Sequence, residues 1–245
     1  MTADDARADA APCKGFVARA AGCERLGIME TQRDSAKTVE VFVFYFDVAN
    51  VVTKFLTDQS ETLHNLRAFQ RYARRVFPFG YAHSYVATLY DNVWCRVNAA
   101  QPGLPSLLLN FAGTVMCAAR REGFSEYFGC ITRGLHEYCP EDRMLVGGTS
   151  FEDLTEQHID ITSEPHIRAA YSEKWRKLVP AACNSVWVST EVFARSTLAA
   201  EASYPDATFT VVNGVIDLAQ LPHANNRAWP FSQSKFQAIR PLETS

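Results

Sequence analysis

Two aspartates in this sequence stand where a carboxylate could take part in chemistry. Asp47 ends the apolar run 39–46, just before a segment that reads as helical, and Asp91 lies in the turn Tyr90-Asp91-Asn92 between two strand-like segments. Taken singly, each has an ordinary structural explanation, Asp47 as a strand-end or helix-capping residue and Asp91 as a hairpin-turn residue. Taken together at these two positions, they are candidates for one shared site.

The pattern of the surrounding residues predicts which elements position the two aspartates. The run 39–46 is β-branched and aromatic, which is typical of a strand buried on both faces in the middle of a sheet. Apolar residues spaced three and four apart predict one or two helices over 51–77 and a helix over 105–121. Runs of β-branched and aromatic residues bounded by turn residues predict strands over 81–89, 93–97 and 128–135. This is the ferredoxin-like, or split βαβ, order of the α+β class. In that plan the first and third strands are neighbours, so we expect Asp47 and Asp91 to approach each other.

Further elements and boundaries follow from the same kinds of signal. Residues 1–36 are expected to be an N-terminal extension, 37–221 the catalytic domain, and 222–245 a C-terminal tail lying over the surface. Within the domain, the later part predicts a fifth strand over 138–146, a helix from 163 to about 178, a strand over 185–189, a helix over 191–202 and a strand over 208–212.

Two carboxylates that converge beside a helix N-terminus suit a magnesium or manganese ion that carries a nucleoside triphosphate. Such ions take one or two protein carboxylates and fill their other positions with water and phosphate oxygens. The backbone amides of 49–53, at the start of the helix, could hold the triphosphate.

Composition excludes several other classes of function. With 24 Lys and Arg against 27 Asp and Glu, the net charge of −3 lacks the basic footprint of a nucleic-acid-binding domain and of a polybasic membrane anchor. The seven cysteines form no C-x-x-C, and the acidic opening leads into no apolar signal segment, so a cytoplasmic protein without disulfides or a zinc knuckle is expected.

Several segments resemble the class III nucleotidyl cyclases. Residues 43–52 resemble the first metal-binding strand of that family, and 89–94 resemble the hairpin that carries its second metal-binding aspartate. Segments 129–134, 167–174 and 185–189 are similar to the later strand, helix and strand of the domain, so the resemblance spans roughly 39–189.

The resemblance implies a site shared by two copies of the chain. Two Mn²⁺ or Mg²⁺ ions would be held by Asp47, Val48 and Asp91. Arg168 or Arg133 would supply the cation that stabilises developing charge. Without gaps, the family's Asn and Arg on the late helix fall on Arg168 and Ser172.

The base would lie against the opposing chain of this homodimer, at Val51, Ala87 and Asp160. The dimer would also cover an apolar face of the sheet that one chain leaves exposed. With the residues flanking the aspartates, the candidate substrate-binding set is Tyr45, Asn50, Val51, Val52, Thr53, Ala87, Tyr90 and Asp160.

Departures from the family pattern narrow the substrate class. Asn50-Val51-Val52 replaces Gly-Phe-Thr, Tyr90 replaces a glycine, and Ala87 replaces the purine-reading lysine of adenylate cyclases. Such a domain looks most like the bacterial pyrimidine cyclases of the Pycsar anti-phage system, which make cyclic UMP or cyclic CMP for a separate effector. Tyr45 and Tyr90 would narrow a base pocket. A purine cyclase, and an inactive cyclase-like domain for dimerisation or nucleotide sensing, are the alternatives.

Overall fold

The computed structural model describes residues 37–80, 84–138, 163–179, 184–196, 208–221 and 229–242. Its strands are β1 (Lys37–Val48), β2 (Tyr85–Leu89), β3 (Asn92–Asn98), β4 (Tyr127–Tyr138), β5 (Ser185–Ser189), β6 (Phe209–Val211), β7 (Ile216–Asp217) and β8 (Lys235–Pro241). Its helices are α1 (Val51–Thr57), α2 (Gln59–Arg75), α3 (Ser106–Arg121), α4 (Glu164–Ser172), a 3₁₀ turn (Glu173–Leu178) and α5 (Thr190–Phe193).

The first four strands confirm the ferredoxin-like plan. Their order across the sheet is β2-β3-β1-β4, with β1 antiparallel to both β3 and β4. Two helices, α1 and α2, connect β1 to β2, and α3 connects β3 to β4. Strand β1, which carries Asp47 next to its last residue, is therefore central, as its nearly continuous apolar run predicted.

Alternate residues of β1 face opposite sides of the sheet, and each side has its own core. On one side, Phe46 packs on Phe69 of α2, and Phe44 packs edge-on against Phe111 of α3. These contacts belong to the larger of two buried clusters.

The other side of the sheet is also buried within a single chain. There Tyr45 packs on Trp94 with ring centroids 4.6 Å apart, and Trp175 packs edge-on against Trp229 at 5.9 Å. The expectation that this sheet face needs a second copy to cover it is therefore wrong, because α4, the 3₁₀ turn and aromatic residues near the C-terminal end cover it.

The segment predicted to lie over the surface instead completes the sheet. Strand β8 pairs antiparallel with β5 on one side and with β6 on the other, while β7 also pairs with β8. Phe236 and Ile239 of this strand are fully buried. The prediction missed β8 because the residues before it are rich in Asn, Pro and Ser, which is typical of a loop. The strand itself is short, and its partners lie far away in the sequence.

Several element boundaries differ from the prediction. β4 continues to Tyr138, and the rest of the predicted strand 138–146 lies outside the described residues. The helix predicted from 163 to 178 changes at Glu173 from α-helical to 3₁₀ geometry. The helix predicted over 191–202 is found only as α5, which ends at Phe193; residues 194–196 are not helical, and 197–202 lie outside the described residues. None of the described helices is long and apolar enough to cross a membrane.

Candidate active site

The end of β1 and the β2–β3 turn bring Asp47 and Asp91 to one place. Asp47 lies directly opposite Asn92, the first residue of β3. The Val48 amide donates a hydrogen bond of 3.2 Å to the Asp91 carbonyl, which fixes the turn against the end of β1. The backbone pairing of β1 with β3 thus brings the two aspartates close together, as the sequence predicted.

Negative charge accumulates at this end of the strand. Burial, followed by the negative charges of Glu173 and Asp91, raises the pKa of Asp47 to about 7, while Arg176 acts in the opposite direction. Burial and Glu173 also raise the pKa of Asp91, against the hydrogen bonds that it accepts from its own backbone amide and from Asn92. A group of carboxylates that resists ionisation in this way is suited to a cation.

Two residues that the sequence analysis missed complete the cluster. Glu173 and Arg176 are three residues apart on the 3₁₀ turn, where residues i and i+3 project from the same side. Tyr45 donates its hydroxyl hydrogen to Glu173 Oε2 at 2.9 Å. Arg176 Nη1 lies 3.9 Å from Asp47 Oδ2, and its Nη2 lies 3.7 Å from Glu173 Oε1.

The two arginines expected to supply the cation have other partners within the chain. The Arg168 side chain is buried, donates to the Arg133 carbonyl, and forms an ion pair of 3.6 Å with Glu164. Burial lowers the pKa of Arg168. Neither contact involves Asp47 or Asp91.

Arg133 lies on the opposite face of the sheet from Asp47. Its Cα is paired with that of Phe42, which faces α3, and its guanidinium forms an ion pair with Glu40. Phe42 is five residues before Asp47, a separation of about 17 Å along an extended strand. A single chain therefore does not bring Arg133 to the carboxylates.

The predicted triphosphate loop is held by a glutamate. Asn50 follows β1 in the left-handed conformation, with φ of 62°, and its Nδ2 donates to Glu126 Oε2 at 2.7 Å. The Ala49 amide donates to the Glu126 carbonyl at 2.8 Å, so this member of the expected amide group is already bonded. Val52 and Thr53 are exposed, and Val51 is half-buried.

The residues expected near the base lie in different surroundings. Tyr45 is buried on Trp94, whereas Tyr90 is 88% exposed, so the two rings do not share one environment. Tyr90 has φ of 51°, the left-handed conformation that glycine adopts most readily, and its carbonyl accepts a hydrogen bond from Gln70. Ala87 is buried in β2. Asp160 lies outside the described residues.

Comparison with solved structures identifies the fold. No protein-family model and no curated protein matches the sequence. The guanylate cyclase domain of RhGC from Catenaria anguillulae, solved in complex with GTP, matches with a TM-score of 0.50 and 12% identity, over 85% of this chain and all of that one. The described chain has the class III cyclase fold.

Two further class III cyclase structures are similar at lower scores. The adenylyl cyclase CyaB from P. aeruginosa matches 85% of this chain and 96% of its own, at 12% identity and a TM-score of 0.46. A bacterial light-regulated adenylyl cyclase matches 84% of this chain and 91% of its own, at 13% identity and a TM-score of 0.47.

The residues at the strand end of this cyclase fold suit a divalent cation. Among the described residues, no group of three His, Cys, Asp or Glu side chains is already arranged around an ion. Two carboxylates are nevertheless enough for Mg²⁺ or Mn²⁺, which keep water and phosphate oxygens as their other ligands. Beside them, the side-chain oxygen of Asn92 is buried and accepts no hydrogen bond from the described residues. An unused oxygen next to two carboxylates fits a hard cation.

Proposed function

We propose that this protein is a nucleotide cyclase that converts UTP or CTP into the 3′,5′-cyclic monophosphate and pyrophosphate. Its product would be a second messenger that a separate effector reads in anti-phage defence. The observation that carries the proposal is the meeting of Asp47 and Asp91 at the end of the central strand of a class III cyclase fold. Fold alone does not establish an activity, whereas paired carboxylates at this position supply the chemistry.

Asp47 and Asp91 would hold the divalent cations, two in each active site, and Val48 holds the Asp91 turn in place through its amide. Bound cations would lower the pKa of the ribose 3′-hydroxyl and neutralise charge on the triphosphate. Cyclisation joins the 3′-oxygen to the α-phosphorus as the bond to pyrophosphate breaks. The protein contributes mainly alignment and charge to such a reaction.

Arg176 is the basic side chain best placed to stabilise phosphate charge. Its guanidinium lies between Asp47 and Glu173 and is partly exposed. Because Arg168 and Arg133 are bonded elsewhere in the chain, we propose Arg176 in their place. The Tyr45 hydroxyl fixes Glu173, and Glu173 in turn orients Arg176.

A preference of the protein for a pyrimidine nucleotide is supported by the absence of a purine-reading side chain at position 87 of β2. Ala87 is buried there and offers no hydrogen-bonding side chain where the resembling adenylate cyclases have a lysine that reads the purine. A homodimer is supported by exposed apolar side chains of α1 and of the end of β2, which are Val52, Leu56 and Leu89.

Incubation of the purified protein with Mn²⁺ and each of the four nucleoside triphosphates tests the proposal. Mass spectrometry of the products should show a cyclic pyrimidine nucleotide, together with pyrophosphate. Products from ATP or GTP alone would establish the purine alternative, and no product from any of the four would support the inactive one. Asp91→Ala should abolish turnover and leave the circular dichroism spectrum unchanged.

A further inference from the structure

Asn92 occupies the position between the two aspartates. It is the first residue of β3 and lies directly across the strand pair from Asp47, so their side chains project from the same face as neighbours. Its Nδ2 also donates a hydrogen bond of 2.7 Å to Asp91 Oδ1. One neutral side chain therefore adjoins both carboxylates.

The contact with Asp91 determines which way the Asn92 amide is turned. A carboxylate oxygen accepts hydrogen bonds, so the amide must present its NH₂ group to Asp91 and direct its oxygen elsewhere. That oxygen is buried and accepts no hydrogen bond from the residues that the structure describes. Buried acceptors are rarely left in this state unless a water, an ion or a ligand completes them.

We propose that Asn92 Oδ1 is a third protein oxygen ligand of the cation bound by Asp47 and Asp91. The inference rests on the proposed function, which assigns a cation to those carboxylates. Amide oxygens are ordinary ligands of hard divalent cations. A neutral ligand also adds a bond to the cation without adding negative charge beside Asp47, Asp91 and Glu173. In the same amide, the NH₂ group orients Asp91.

Binding of Mn²⁺ alone tests this assignment without relying on turnover. Free Mn²⁺ would be measured by electron paramagnetic resonance in titrations of the full chain, Asn92→Leu and Asn98→Leu. Leucine has nearly the size of asparagine but no ligand atom, so Asn92→Leu should bind Mn²⁺ about tenfold more weakly. Asn98 ends the same strand, away from the site, and its leucine variant should match the unsubstituted protein.

A second measurement distinguishes a ligand from a residue that only orients Asp91. With ¹³C at the side-chain carbonyl of asparagine, electron–nuclear double resonance of the Mn²⁺-loaded protein should show a directly coordinated amide carbon. Absence of that coupling would overturn the assignment even if Asn92→Leu binds more weakly. This experiment uses the unsubstituted chain, so it decides the question even if Asn92→Leu does not fold.

Different Mn²⁺-binding results would contradict the ligand role of Asn92 and the cation site itself. If Asn92→Leu folds and binds Mn²⁺ as tightly as the unsubstituted protein, the ligand role of Asn92 is wrong and the proposed function stands. If the unsubstituted protein binds no Mn²⁺, both the cation site and the ligand role are wrong.

Discussion

The guanidinium of Arg176 lies against the carboxylate of Asp47, with Nη1 3.9 Å from Oδ2. Asp47, which is proposed to bind a metal cation, thus already has the positive charge of Arg176 beside it. Because a divalent cation on Asp47 would repel Arg176, binding of the cation should release the guanidinium for a phosphate.

Arg176→Ala should separate cation binding from catalysis. Loss of the competing positive charge should leave Mn²⁺ binding equal or tighter, whereas kcat should fall about 10²–10³-fold, as for removal of one charge-stabilising group. Mn²⁺ titration and steady-state kinetics measure the two effects. Lys174→Ala, an exposed change on the same turn, is the matched control. Turnover of Arg176→Ala within twofold of the unsubstituted protein would contradict the role.

Asp47 should make the metal-free protein less stable as pH rises. Its pKa is about 7 in the folded chain against 3.8 as the ordinary value, so the folded state binds the proton more tightly, and stability falls between pH 4 and 7. Asp47→Asn should therefore be more stable than the unsubstituted protein at pH 8, by about 4 kcal/mol, and nearly equal to it at pH 4. Urea unfolding in EDTA measures both. Excess Mn²⁺ should reverse the order at pH 8, since the unsubstituted protein should bind the cation more tightly than Asp47→Asn does.

Glu173→Gln should lower the pKa of Asp47. The negative charge of Glu173 is, after burial, the largest cause that raises this pKa, and glutamine removes the charge while keeping an acceptor for Tyr45. A ¹³C NMR titration of the aspartate carboxyl groups would detect the shift. Glu126→Gln, whose side chain bonds Asn50 instead, should leave the Asp47 titration in place. An Asp47 pKa that is unchanged in Glu173→Gln would refute the assigned effect of the Glu173 charge on Asp47.

Trp229→Ala should disturb the turn that carries Arg176. Trp229 packs on Trp175 and Tyr171, which lie on either side of Glu173, with centroids 5.9 Å apart in both pairs. Loss of the ring should destabilise the fold by about 3–5 kcal/mol, measured by chemical unfolding. Trp229→Phe should recover most of that stability and of kcat. Equal stability of the Ala and Phe variants would show that this packing is unimportant.

Tyr90→Gly should stabilise the protein by about 1 kcal/mol. Tyr90 is held at φ of 51° with its ring exposed, so glycine relieves backbone strain and loses little packing. Leu89→Gly changes the preceding residue, which lies in strand β2, and should destabilise instead. Thermal unfolding of both variants checks the contrast, and a lower midpoint for Tyr90→Gly would show that the ring has a structural contact.

The first part of the fold and the aspartate pair could be predicted because their signals are local. The apolar run of β1 marks a central strand, and the turn at Asp91 marks a hairpin, so the topology follows from element order alone. The sequence predicted Asn92 as a turn residue. It could not predict that the Asn92 side-chain oxygen is buried without a hydrogen bond from the described residues, because this depends on how β1 and β3 are aligned across the sheet.

Arg176 and β8 could not be found in the same way. Arg176 reaches Asp47 because the helix tightens to 3₁₀ geometry at Glu173, which changes the angle between successive side chains from about 100° to about 120°. The resemblance to the cyclase family had instead placed the expected cation at Arg168, on the helix that precedes this turn. β8 has partners about fifty residues away in β5, and its sequence neighbours are of loop composition.

The sheet order has a consequence for how the chain matures during synthesis. The carboxylate half of the site, β1 to β3, is complete once residue 98 has left the ribosome, whereas the support of Arg176 needs Trp229 and the strand that follows it. A nascent chain would carry its acidic pair long before the opposing guanidinium is fixed. The proposed cyclase activity should therefore begin only when translation has passed β8.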